Sequence, residues 1–161
     1  MTPIRQERAE VDLELAARLR LVVARTARRL RQEAGSDLGP AQSSALATIE
    51  SRGPLAPSEL ARRERIKPPT ATRIVSSLER AGLVERIADP ADGRSSILST
   101  TADGRALLRR LRARKTAYLA QHLRDLDPDD VAALERAVDA LERMLEQHPT
   151  AEDRARKGDR A

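Results

Sequence analysis

Residues 57–100 read PSELARRERIKPPTATRIVSSLERAGLVERIADPADGRSSILST, and the punctuation of this stretch decides the fold. Pro57 suits the first position of a short helix running to about Arg65, with Leu60 and Ala61 inward, because a helix's first amide has no intrahelical partner to lose. Ile66, Lys67 and Pro68 break it. A second helix is expected from about Pro69 to Ala81, burying Ile74, Val75 and Leu78, with Gly82 where a left-handed C-terminal cap is wanted. Leu78 and Leu83 have the spacing of the apolar contact that accompanies such a cap. An ordinary helical hairpin explains these two helices as well as a helix-turn-helix does. The next residues separate the two: Leu83 to Ala88 reads as a strand, residues 89–94 as a turn, and Ser95 to Thr100 as a returning strand. A β-hairpin directly behind the second helix is a wing, and this order of elements points to double-stranded DNA.

Working outward, Pro40 to Ser51 fits a helix with Ala45, Leu46 and Ile49 on one face, ended by Gly53 and Pro54. Before it, Leu15, Leu19, Val22 and Leu30 recur at helical spacing from about Val11 to Glu33, and Gly35 supplies the stop. Downstream, Thr101 can cap a long helix from Ala102 to about Leu126, with Leu107, Leu108, Leu111, Tyr118, Leu119 and Leu123 inward. Asp127 and Pro128 open a last helix whose Val131, Leu134, Val138, Leu141 and Leu145 alternate spacings of three and four, the stripe of a bundle or coiled coil. Packing within one subunit is the alternative for this stripe. At 161 residues, however, the first and last two helices lack other chain to cover their apolar faces. Leu15, Leu19, Val22, Leu119, Leu123, Val131, Leu134, Val138, Leu141 and Leu145 are therefore assigned to a homodimer interface. The expected fold is mainly α with a small β-hairpin wing: a winged helix-turn-helix at 38–100, a helical dimerisation region at 11–34 and 101–147, and flexible tails at 1–10 and 148–161.

Composition excludes several functions. With no cysteine, disulfide scaffolds, thiolate zinc sites, thiol nucleophiles and cysteine redox sensing are out. His122 and His148 lack a second His or a carboxylate cluster at ligand spacing, so they read as structural or surface residues, and no metal or other cofactor is expected. No glycine-rich phosphate loop or Gly-x-Ser-x-Gly elbow supports an enzyme. Residues 1–10 hold no apolar signal core and no stretch approaches a membrane span, so a cytoplasmic protein without a membrane partner is expected. Phe and Trp are absent and Tyr118 is the sole aromatic, leaving a thin aliphatic core that gains from dimerising.

The formal charge of +5, with 30 Lys and Arg, favours a polyanionic partner. Arginines load the first helix (Arg18 to Arg31) and the start of the long one (Arg105 to Arg114), whereas the sign reverses between Arg124 and Glu146. A wet surface or cross-helix ion pairs also account for such runs, so they serve as support only. The sharper candidates lie within residues 57–100. Pro69, Thr70, Thr72 and Arg73 open the second helix with small hydroxyls and a cation where base edges would lie in a major groove. Lys67 and Ser76 are expected to contact phosphate, which positions without specifying sequence. Arg94, behind Asp92 and Gly93 at the wing tip, suits a narrow minor groove. Asp92 is expected to orient that tip, and Arg86 either anchors phosphate or pairs with Asp92. A winged helix need not touch DNA, and a module binding acidic protein or lipid is the rival; only preference for a palindrome separates the two.

The same residues carry a family resemblance over roughly Leu13 to Leu145. Ser58-Glu59-Leu60-Ala61, Thr70-Ala71-Thr72-Arg73-Ile74-Val75, residues 78–86, Asp92-Gly93-Arg94 and Thr101-Ala102-Asp103-Gly104 resemble MarR-type transcriptional regulators: first motif helix, recognition helix, entry to the wing, wing signature and turn into the dimerisation helix. The resemblance implies a triangular homodimer, palindromic operators, and repression relieved by a small molecule held between the dimerisation helices and the DNA-binding lobe. An aliphatic lining rimmed by the first helix's arginines would suit an apolar or anionic effector. Three departures stand out: Pro68-Pro69 stiffens the start of the recognition helix, Ala56 replaces a capping Ser or Thr, and Thr100 sits where a leucine is customary.

Overall fold

The computed structural model describes residues 3–90 and 95–148, with side chains from Asp12 onward. The described elements are α1 (Pro3–Ala34), α2 (Pro40–Arg52), α3 (Pro57–Arg63), α4 (Pro68–Arg80), β1 (Val84–Ala88), β2 (Ser96–Thr100), α5 (Ala102–Leu123) and α6 (Pro128–Gln147). The strands pair antiparallel from Val84 opposite Thr100 to Ala88 opposite Ser96. Leu55 adds a bridge on the other edge of β2, exchanging backbone bonds of 3.1 and 2.8 Å with Leu98. The wing is thus stitched to the loop between α2 and α3.

One aliphatic core holds this lobe. Leu46 and Ile49 of α2, Leu60 of α3, Val75 and Leu78 of α4, and Leu98 of β2 are fully buried together, and Leu108 of α5 closes the top. Each such side chain stabilises the fold by about 1.5–3 kcal/mol relative to exposure. The caps fix where helices turn. At the end of α4, Gly82 (φ +69°) allows the Leu83 N–H to reach the Leu78 carbonyl at 2.9 Å and its own N–H to reach Glu79 at 2.9 Å, the cap read from the sequence. The end of α3 is built the same way, but its left-handed residue is Arg65 (φ +53°), with Ile66 N–H on the Ala61 carbonyl. That is why α3 stops at Arg63, short of the expected Arg65. No side chain caps the start of α3 at Ala56, as its methyl dictates.

Thr101 welds the lobe to the long helix. Its hydroxyl accepts the Gly104 N–H at 3.1 Å and donates to the Gly82 carbonyl at 2.6 Å, joining the end of α4 to the start of α5. Beside it, Thr100 is buried and its hydroxyl has no partner among the described residues. An orphaned hydroxyl keeps its desolvation cost without a compensating bond, so Thr100→Val should stabilise the protein by about 1 kcal/mol. The check is a higher denaturant midpoint at unchanged slope; a lower midpoint would show that the hydroxyl is satisfied in solution.

Two expectations need correction. The first helix begins at Pro3, not near Val11, so residues 3–10 are helical rather than a flexible tail. Pro3 suits the first turn, and Gln6, Glu7, Arg8, Ala9 and Glu10 are sound helix formers with no breaker among them; apolar periodicity missed them because they are polar. The long helix ends at Leu123, three residues before Leu126, with Arg124 as its cap. Residues 149–161, nearly all of the second expected tail, lie outside the described residues.

On the single chain, no residue of α6 is fully buried. Its Leu134, Val138 and Leu145 are exposed, as are Leu15 and Val22 of α1 and Leu119 and Leu123 of α5. Leu19, Val131 and Leu141 are half-buried. Arg114 of α5 reaches the Ala34 carbonyl at 3.0 Å, and Arg29 of α1 donates to the Tyr118 hydroxyl at 3.2 Å, so α1 and α5 are joined at two points. The phenolic oxygen favours the Arg29 charge and raises its pKa further.

Candidate nucleic-acid interface

Helix α4 has two unlike faces. Ala71, Val75 and Leu78 sit in the core, while Lys67, Pro69, Thr70, Thr72 and Arg73 are exposed and Ser76 is half-buried. The helix is held from behind: Gln42 of α2 donates to the Ser77 hydroxyl at 2.7 Å while its carbonyl oxygen accepts the Gly39 N–H at 2.8 Å. The end of α3 is fixed to α2 by Thr48 donating to Glu64 at 2.5 Å. On α3, Glu59 gathers Arg62 and Arg63 at 2.6 Å each. The Arg62 hydrogen bond, more than Arg63, holds the Glu59 carboxyl below its usual range. Because the shift is downward, this contribution is present at neutral pH and fades as pH falls through the depressed value; the pair's exposure keeps it small.

Within α4 itself the first turn offers no spare amide. Pro68 and Pro69 have none, and the N–H groups of Thr70 and Ala71 both go to the Lys67 carbonyl, at 2.9 and 3.1 Å. Apart from the Lys67 N–H, polar contacts at this end come from side chains. Lys67 and Arg73 have no partner among the described residues. Thr72 differs from expectation, for its hydroxyl donates to the Pro68 carbonyl at 3.1 Å and keeps only its acceptor positions for a ligand.

The wing's base also differs. Arg86 pairs with Glu79 of α4 at 2.9 Å and approaches the Ser96 hydroxyl at 3.5 Å, so its guanidinium ties the hairpin to α4. Spacing could not reveal this partner, because Glu79 and Arg86 meet only once β1 folds back beside α4. The hairpin closes with Asp89 and Ser95, whose hydroxyl donates to the carboxylate at 3.1 Å. Asp92 and Arg94 lie outside the described residues.

Above this lobe is a cavity of about 700 Å³ between α1, α2 and α5. Leu30, Leu38 and Leu111 form apolar wall, and Arg28, Arg31 and Lys115 stand around it with no acidic residue in the lining. Among the described residues none of these three cations has a side-chain partner.

Comparison with known proteins bears on this arrangement. The MarR family model matches residues 38–96, from α2 to the first residue of β2. The uncharacterized HTH-type transcriptional regulator ML2140 of Mycobacterium leprae is 35% identical over 139 residues, covering 86% of this chain and 97% of that protein. The chain belongs to the MarR family. As a MarR-family transcriptional regulator it binds DNA, and the winged helix-turn-helix expected from residues 57–100 is the family's fold. A putative transcriptional regulator from Pseudomonas aeruginosa PA01 superposes with a TM-score of 0.74 at 36% identity, over 83% of this MarR-family chain and 94% of its own. A mutant MepR of S. aureus bound to oligodeoxyribonucleotide shares the fold, with a TM-score of 0.63 at 18% identity over 83% of this chain and 96% of its own. Among the described residues no helix is long and apolar enough to cross a membrane.

Proposed function

We propose that the protein is a homodimeric repressor that reads a palindromic operator with α4 and releases it when a small molecule fills the cavity between α1, α2 and α5. The observation that carries this is the bare face of α4, where Thr70 and the unpartnered Lys67 and Arg73 stand on a helix whose other face is locked in the core. A rigid helix with a free, basic, hydroxyl-bearing edge fits the major groove. MepR, a fold neighbour, is described as bound to an oligodeoxyribonucleotide, which supports the same use of the fold here.

In this proposal Arg73, Thr70 and Thr72 meet base edges, with Pro69 shaping their approach, and Lys67 and Ser76 meet phosphate. Arg94 at the wing tip enters the minor groove with Asp92 orienting it, and Arg86, held by Glu79, sets the wing's angle. Arg73→Ala is expected to weaken operator binding by about 1–3 kcal/mol while leaving scrambled duplex nearly unaffected. Equal affinity of variant and parent for operator would remove Arg73 from the readers.

The bare stripes of α1, α5 and α6 support the dimer, and the mixed lining of the cavity supports an amphipathic anion as effector, its charge among Arg28, Arg31 and Lys115. Selection from random duplex DNA at near-physiological salt tests the whole. An enriched inverted repeat with half-sites about one helical turn apart is expected; salt-sensitive binding without enrichment would refute operator recognition and leave only the phosphate interaction.

A further inference from the structure

Among the described residues, three helices end on a left-handed residue. Two of them use glycine, Gly35 after α1 and Gly82 after α4, where the missing Cβ removes the steric conflict. The third, in the turn between α3 and α4, uses Arg65 at φ +53°. Nothing local requires an arginine: the cap is made by backbone, with the Arg65 N–H on the Arg62 carbonyl at 3.3 Å and the Ile66 N–H on Ala61 at 3.0 Å. A glycine would make both bonds without the conflict. The side chain is exposed and has no partner among the described residues, unlike its neighbours Arg62 and Arg63, which Glu59 holds, and Glu64, which receives Thr48.

Its position matters because α4 begins just beyond it. Helix N-termini ordinarily bind phosphate through free backbone amides. Here Pro68 and Pro69 have removed two of them, and Lys67 occupies the next two with its own carbonyl. With only the Lys67 N–H left at this end, a phosphate beside the start of α4 depends mainly on side chains. Arg65 lies two residues from Lys67, at most about 7.2 Å along the chain, so the two cations without a partner among the described residues lie close together just before the place where amides are missing.

We propose that Arg65 is a DNA-backbone contact, clamping a phosphate at the entry of the recognition helix together with Lys67 and replacing the amides that the two prolines delete. The proposal rests on α4 being the DNA-reading helix. It assigns Arg65 a positioning role without sequence preference, because a guanidinium on a phosphate sees no base edge.

The test uses the full chain and its Arg65→Gly, Arg65→Gln and Arg65→Lys variants. Each is titrated with operator and with scrambled duplex across a range of salt. Losing one phosphate contact lowers the slope of log affinity against log salt by about 0.9 per subunit, equivalent to about fivefold in affinity per subunit near 0.15 M salt. That loss is expected for Arg65→Gly and Arg65→Gln, equally on operator and scrambled DNA, with Arg65→Lys close to the parent in slope. Arg65→Gly should also hold or raise the thermal midpoint, since it relieves the backbone, so weaker binding there is not misfolding. Unchanged slopes in the glycine and glutamine variants overturn the contact, and so does a loss confined to operator, which would make Arg65 a base reader. If the same Arg65 losses appear while Arg73→Ala binds operator like the parent, the phosphate clamp stands and base reading by Arg73 falls.

Discussion

Gly104→Ala is expected to lower the unfolding free energy by about 2–3 kcal/mol and to take operator binding with it. In most helices this substitution works the other way, alanine being about 1 kcal/mol better than glycine. Here a Cβ would collide with the Leu83 backbone carbonyl and lie 2.7 Å from the Thr100 methyl. A backbone oxygen cannot swing aside as a side chain can, so α5 must move off the end of α4. Moving it also stretches the two hydrogen bonds of Thr101, which span the same junction. The steric term therefore outweighs propensity. Denaturant unfolding gives the sign directly, and a more stable variant would mean that α5 slides along the lobe at little cost.

The second large effect concerns the helices that the single chain leaves bare. Leu134 and Val138 are 43% and 51% exposed on α6, so aspartate at either costs little in an isolated subunit. At a two-fold interface the same change puts charges into an apolar seam twice over. Leu134→Asp combined with Val138→Asp should give a chain that sediments as a monomer and binds operator at least about 100-fold more weakly, because the second half-site no longer adds to the first. Should the double variant unfold instead, substitution at exposed positions would have destroyed the fold, which happens only if those positions are covered in solution. A dimer with parental affinity would place the contact elsewhere.

How much of this was legible depended on the kind of signal. The lobe from Pro40 to Thr100 is legible because its elements are short and bounded by residues of distinctive backbone conformation: Pro57 and the Pro68-Pro69 pair, which open helices, and Gly82, which closes one. Its core residues lie at fixed spacings, and Leu46, Ile49, Leu60, Val75 and Leu78 are buried as periodicity required. Polar residues carry no such period. That hid the helical state of residues 3–10, and it hid every side-chain pair between distant segments, including Gln42 with Ser77, Thr48 with Glu64 and Arg86 with Glu79. The candidate reading edge, Lys67 to Arg73, was visible as composition, while the inward commitment of the Thr72 hydroxyl depended on a helical turn that composition does not show. Arg65 escaped notice because nothing in an arginine marks a left-handed residue; glycine at that place would have.

Tyr118 gives the protein a built-in optical probe. No tryptophan or phenylalanine competes with it, and its hydroxyl is held by Arg29 across the space between α1 and α5 while its ring lies 4.2 Å from that of His122. Lys115, at the cavity, is about one helical turn away on the same face of α5. Near-ultraviolet absorbance and intrinsic fluorescence of the unlabelled chain therefore come from one phenol between α1 and α5. A molecule that parts α1 from α5 frees that phenol from the guanidinium, and the emission of a single residue reports it without any dye attached.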